Sequence, residues 1–142
     1  MGNDKGIGGH SPGVTGSMII GIGTDLVHVP RLSRIVERWG DRFLNRIFCE
    51  EEIAYCFRYK DPSLSFASRF AAKEACSKAL GTGMSRGVTW RQMCVHNRQA
   101  GQPVLRLSGV AMERAAELGG RRWHLSLTHD HEYAHAVVIL ED

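Results

Sequence analysis

Between residues 69 and 78 stand Arg69, Lys73, Glu74 and Lys78, charges spaced to gather on adjacent faces of one helix. At about 100° per residue, Arg69 and Lys73 share one strip and Glu74 and Lys78 a neighbouring one. Two readings of Glu74 stand side by side. A Glu four residues before a Lys is the favoured orientation of a helical ion pair, worth only ~0.2–0.5 kcal/mol. Glu74 also aligns with Ala67, Phe70 and Ala71, small or apolar residues that mark a packed face. A second carboxylate, Asp25, follows the apolar run from Met18 to Gly23. Two carboxylates brought together need a cation between them. Oxygen-only ligation with room for water and phosphate oxygens is what Mg²⁺ prefers.

Other motifs narrow the chemistry. Gly81-Thr82-Gly83 reads as a helix cap or as a close backbone approach to a phosphate. It is not a P-loop, and Gly21-Ile-Gly23 lacks the remaining glycine of a dinucleotide fingerprint, so nucleoside triphosphate and NAD readings lose ground. No G-x-S-x-G elbow supports a serine hydrolase. His124, Ser126 and Thr128 read as the polar side of an edge strand, and the histidines are too scattered for a metal-ligand spacing. Arg31, Arg34, Arg38, Arg42 and Arg46 form either a solvated surface or a docking face. Without interleaved exposed aromatics that face suits an acidic protein helix at least as well as single-stranded nucleic acid.

These residues need elements to hold them. The run 18–23 predicts a buried strand with Asp25 near its end. Pro30 opens a helix whose apolar face is Leu32, Ile35, Val36 and Trp39, closed by Gly40. Asp41 caps a second short helix, and Glu50-Glu51-Glu52 starts a third. The strongest helix runs from about Ser65 to Leu80. Segments near 91–97 and 103–107 make a hairpin, Ser108 opens a helix ending at Gly119-Gly120, and two strands close the chain, the second from Tyr133 to Leu140. The class is α+β, a mainly antiparallel sheet packed with one long and several short helices.

At 142 residues and 43% hydrophobic content, the chain fits one domain, read as 18–142 after a disordered leader at 1–17. No apolar run approaches the ~20 residues of a membrane span. The net charge of +3 permits an acidic partner. Cys49, Cys56, Cys76 and Cys94 form no C-x-x-C pair, which fits reduced thiols and a cytoplasmic protein.

Taken together, Gly21-Ile-Gly-Thr-Asp-Leu-Val27, Arg69-Phe-Ala-Ala-Lys-Glu-Ala75 continuing through Ser77-Lys-Ala-Leu-Gly-Thr-Gly83, and His124-Leu-Ser-Leu-Thr-His129 resemble the holo-acyl-carrier-protein synthases, small phosphopantetheinyl transferases. The resemblance covers Met18 to the C-terminus. It implies transfer of 4′-phosphopantetheine from coenzyme A to a serine of an apo acyl carrier protein in fatty acid biosynthesis. A polyketide or other specialised carrier is the alternative, and a non-catalytic binding module a further one. It implies Mg²⁺ on Asp25 and Glu74, and coenzyme A held by Arg69, Lys73, Lys78, Gly81, Thr82, Gly83, Thr128 and His129. Glu74 is the candidate proton acceptor, with Lys78 a mobile charge beside the phosphate. Arg31 and Arg34 would meet the carrier's acidic helix. Such enzymes are trimers with sites between subunits. One departure is Cys49, where a Ser or Thr cap is expected before Glu50.

Overall fold

The computed structural model describes residues 16–142, so all but the last two residues of the expected leader lie outside the described residues. Strand β1 (Ile19–His28) carries the apolar run four residues beyond Thr24. Asp25 therefore lies within the strand rather than at its end. Helix α1 (Val29–Trp39) begins with Pro30 in its first turn and stops at Gly40, whose φ of 55° suits glycine. The short helices α2 (Asp41–Ile47) and α3 (Glu50–Cys56) lead to the long α4 (Ser63–Ala79). Strands β2 (Met93–Asn97) and β3 (Pro103–Leu107) precede α5 (Gly109–Glu117), and β4 (Arg122–His129) and β5 (Tyr133–Glu141) end the chain.

Two sheets result, both antiparallel: three strands in the order β1-β5-β4, and the β2–β3 hairpin. Helix α4 lies against one face of the larger sheet with Ala71, Ala72, Ala75 and Ala79 in the core. The approach is backbone to backbone. A Cβ on Gly21 would collide with the carbonyl oxygen of Ala79, and one on Gly23 with that of Ala75. Small residues on both partners thus seat the strand bearing Asp25 directly on the helix bearing Glu74. A second core, with Leu32, Leu44, Phe48 and Phe66, ties α1 and α2 to α4.

Three sequence expectations change. Trp39 is not part of the core: it is 50% exposed, with the Arg38 guanidinium 5.1 Å from its ring centre. An aromatic does therefore interrupt the arginine series. The cysteines are not all reduced: Cys49 and Cys94 form a disulfide, while Cys56 and Cys76 are free and buried. Cys49 also serves as the start of α3 despite not being Ser or Thr, its N–H donating to Glu52 Oε1 at 2.9 Å.

The sheet face opposite α4 carries the rows Ile22-Ile139-His124, Thr24-Val137-Ser126 and Leu26-His135-Thr128. Ile22 and Leu26 on it remain about 60% exposed. No helix among the described residues is long and apolar enough to cross a membrane.

Candidate active site

Asp25 points toward α4, where Lys78 Nζ lies 3.2 Å from its Oδ1 and also donates to the Thr24 carbonyl at 2.9 Å. Lys78 thus reaches across to β1 rather than back along its own helix. The helical ion pair is not what employs it. Glu74 lies half-buried on the same side of α4, and its carboxyl is pushed above the usual carboxylate range. Burial is the larger cause and the Asp25 carboxylate the second, with Lys78 opposing both. Both acids line a cavity of about 440 Å³, together with His28, Arg31, Phe70 and Tyr133. A larger cavity, about 730 Å³ near Gly120 and Arg121, holds no comparable pair of acids.

Two carboxylates lining one open cavity, with Asp25 adding to the raised proton affinity of Glu74, make a donor set suited to a hard, oxygen-preferring cation. In its absence the sign is definite. A carboxyl whose folded pKa is raised favours folding while protonated, so the contribution is lost as pH rises through the raised value. We expect Glu74→Gln, in chelator, to lessen the fall in thermal stability above the ordinary carboxylate range. An unchanged pH profile would count against the facing acids.

Comparison with known proteins identifies the family. The sequence profile of the 4′-phosphopantetheinyl transferase superfamily matches residues 21–138. The chain belongs to this superfamily. A holo-[acyl-carrier-protein] synthase of Koribacter versatilis is 50% identical over 125 residues, 88% of this chain and 100% of that one. The holo-[acyl-carrier-protein] synthase structure from Neisseria meningitidis superposes with a TM-score of 0.81 at 34% identity, covering 88% of this chain and 100% of that one. The Bacillus anthracis enzyme, solved in complex with CoA (3′,5′-ADP), gives 0.74 at 35% identity, covering 88% of this chain and 98% of that one.

Among the catalytic and coenzyme-binding residues expected from sequence, the structure gathers only Asp25, Glu74 and Lys78 in one place. Lys73 is a correction: it is fully buried, and its ammonium donates to Glu52 and to the carbonyls of Trp90 and Met93. Those bonds use all three of its donors, leaving none for coenzyme A. Arg69 is 4% exposed, lies against the Tyr55 ring and donates to Asn97 Oδ1, while its Nε has no partner. That orphaned donor is itself buried, on the flank of α4 away from Glu74.

The Gly81-Thr82-Gly83 turn caps α4. The Gly81 amide bonds to the Lys78 carbonyl, those of Thr82 and Gly83 bond to the Ser77 carbonyl, and the Thr82 hydroxyl donates to Gly83. No donor of the turn is left for a phosphate. Thr128 projects from the sheet face opposite Asp25, and His129 ends β4, exposed. Sequence reasoning missed Glu52, the buried partner of Lys73, and Asn97, the partner of Arg69. Glu52 had a signal in its place three residues after a helix start; Asn97 had none.

Proposed function

We propose that this chain transfers 4′-phosphopantetheine from coenzyme A to a serine hydroxyl of an apo acyl carrier protein, leaving adenosine 3′,5′-bisphosphate. The observation that carries the reading is the Asp25–Glu74 pair beside Lys78 in one cavity, in a chain of this superfamily. Asp25 and Glu74 would hold Mg²⁺, which when bound neutralises charge on the pyrophosphate and on the departing phosphate.

The chain's own residues position and move charge. Lys78, half-exposed and tethered to Asp25, has the reach to turn from that carboxylate to a phosphate oxygen in the cavity. Glu74 accepts the serine proton as the hydroxyl oxygen bonds to the pantetheine-bearing phosphorus and the pyrophosphate P–O bond breaks. Its raised proton affinity supports that role. The unpartnered Nε of Arg69 is buried, so its donation to a second phosphate requires the side chains over it to move.

Because Thr128 and Arg69 do not face the carboxylate pair within one chain, we read the complete site as formed between copies, in a trimer. The exposed apolar sheet face around Ile22 and Leu26 is the surface such a neighbour would cover.

Arg31 lines the catalytic cavity. Further along, Ile35, Trp39 and Phe43 floor a groove of about 520 Å³ walled by Arg42 and Arg46. An apolar floor between cations suits an acidic amphipathic helix, the carrier surface this reaction requires. Removing Arg31 and Arg34 together is expected to raise the carrier KM about tenfold and flatten its salt dependence. An unchanged KM would count against this surface.

Incubation with coenzyme A, Mg²⁺ and a panel of apo carriers, read by mass, tests the reaction. A gain of one phosphopantetheine is expected, and the preferred carrier separates fatty acid biosynthesis from specialised pathways. Binding of coenzyme A or a carrier with no mass gain on any of them would favour a binding module.

A further inference from the structure

The Cys49–Cys94 disulfide joins the N-cap of α3 to strand β2, across 45 residues of sequence. Both sulfurs lie 3.4 Å from the Arg91 carbonyl oxygen, and both residues are only half-buried, within reach of a small thiol reagent. Beside them is the carboxylate of Glu52, completely buried. It accepts three hydrogen bonds: from the amide of Cys49 at 2.9 Å, from the amide of Val95 at 3.0 Å, and from Lys73 Nζ at 2.6 Å. The two amides belong to Cys49 itself and to the residue after Cys94. The disulfide therefore brackets the donors that hold Glu52, and through Glu52 holds Lys73 on α4. Two residues beyond Val95 on the same strand is Asn97, the partner of Arg69.

We propose that Cys49 and Cys94 are a reversible thiol modification site, whose disulfide, formed by exchange with a low-molecular-weight disulfide, fixes the α3–β2 shelf that holds Lys73 and Arg69. In the exchange one cysteine thiolate attacks the small disulfide, releasing one small thiol and leaving a mixed disulfide. The second cysteine then attacks the protein sulfur of that bond, releasing the second small thiol. Two protein thiols are oxidised, one small disulfide is reduced, and the two protons pass to the departing thiolates.

The other cysteines do not compete. Burial pushes the thiols of Cys56 and Cys76 up to about 12, so neither supplies thiolate near neutral pH. The effect on ligand affinity rests on the proposed function, because it assumes that Arg69 meets a phosphate of coenzyme A. The disulfide and its effect on stability do not.

The test begins with the full chain reduced by a dithiol, then exposed to glutathione disulfide. Oxidation is expected to give a Cys49–Cys94 cross-linked peptide and to protect both from alkylation. Thermal unfolding should move upward by roughly 5–10 °C. Coenzyme A, measured by equilibrium binding, should bind about fivefold more tightly to the oxidised form. Cys49→Ser/Cys94→Ser should behave like the reduced protein whatever the oxidant. Alkylation of both cysteines after oxidation would overturn the proposal. So would a redox response that persists in the double variant, or equal stability in the two states. Since Cys49, Glu52 and Cys94 could together ligate a metal, protection of the reduced thiols by stoichiometric Zn²⁺ would also overturn it. A stability response without an affinity response would leave the modification site standing and remove Arg69 from coenzyme A binding.

Discussion

Asp25→Ala is expected to lower phosphopantetheine transfer by about 10²–10³-fold while the chain stays folded. The carboxylate is a ligand in the proposed cation site and the tether of Lys78, so one change removes a negative charge from the cavity and releases a positive one. Neither loss opens the core, because the side chain is on the cavity wall and the strand is held by Gly21 and Gly23 on α4. The measurement is transfer rate by mass at saturating coenzyme A, beside a thermal melt. Asp25→Asn separates charge from shape. It should be equally inactive, yet in chelator it should melt at or above the wild-type temperature, since Asp25 is one cause of Glu74's raised pKa. Near wild-type turnover in either variant would remove Asp25 from the site.

The second large effect concerns stability. Lys73→Ala should destabilise the chain by about 3–5 kcal/mol, because it leaves the Glu52 carboxylate buried with two amides and no cation. For a chain of this size that lowers the melting temperature by roughly 10 °C. Burial itself depresses the lysine's pKa and the Glu52 charge opposes that, so each ion is held in place by the other. Lys73→Met with Glu52→Gln removes both charges and should recover most of the loss, whereas Lys73→Met alone should not. A mild effect of Lys73→Ala, within 1 kcal/mol by denaturant titration, would show that the pair does not hold α3 to α4.

Asp25 and Glu74 were legible as carboxylates in packed settings, but joining them with Lys78 in one proposed site came from the resemblance, since spacing alone left Glu74 and Lys78 a helical ion pair. Asp25 follows an apolar run and Glu74 stands among small residues. The error at Lys73 has a physical cause. Periodicity states which residues share a strip of a helix, but not which strip meets the protein. In α4 the alanines at 67, 71, 72, 75 and 79 share one side, but Phe66, Arg69, Lys73, Cys76 and Ser77 are buried on the other, so no polar side contrasts with an apolar one. Trp39 failed in the opposite way. It keeps helical spacing with Leu32 and Ile35, but at the last turn of α1 little remains for it to pack on. The Cys49–Cys94 bond joins segments distant in sequence, which a search for close cysteine pairs cannot reveal. The glycines at 81 and 83 kept the common meaning of a cap because the carbonyls at the end of α4 require donors.

The contact of Gly21 and Gly23 with the α4 main chain has one more consequence. Side chains can repack when a neighbour changes, but peptide planes in contact have nothing to rearrange. Asp25 is two residues from Gly23, and Glu74 precedes the alanine whose carbonyl that glycine touches. The gap between the acids is therefore gauged by main-chain dimensions. If the two acids hold the proposed divalent ion, one bigger than the gauge would have to pry a strand from a helix along their whole seam, and discrimination would fall on radius, a property that surface mutations cannot tune.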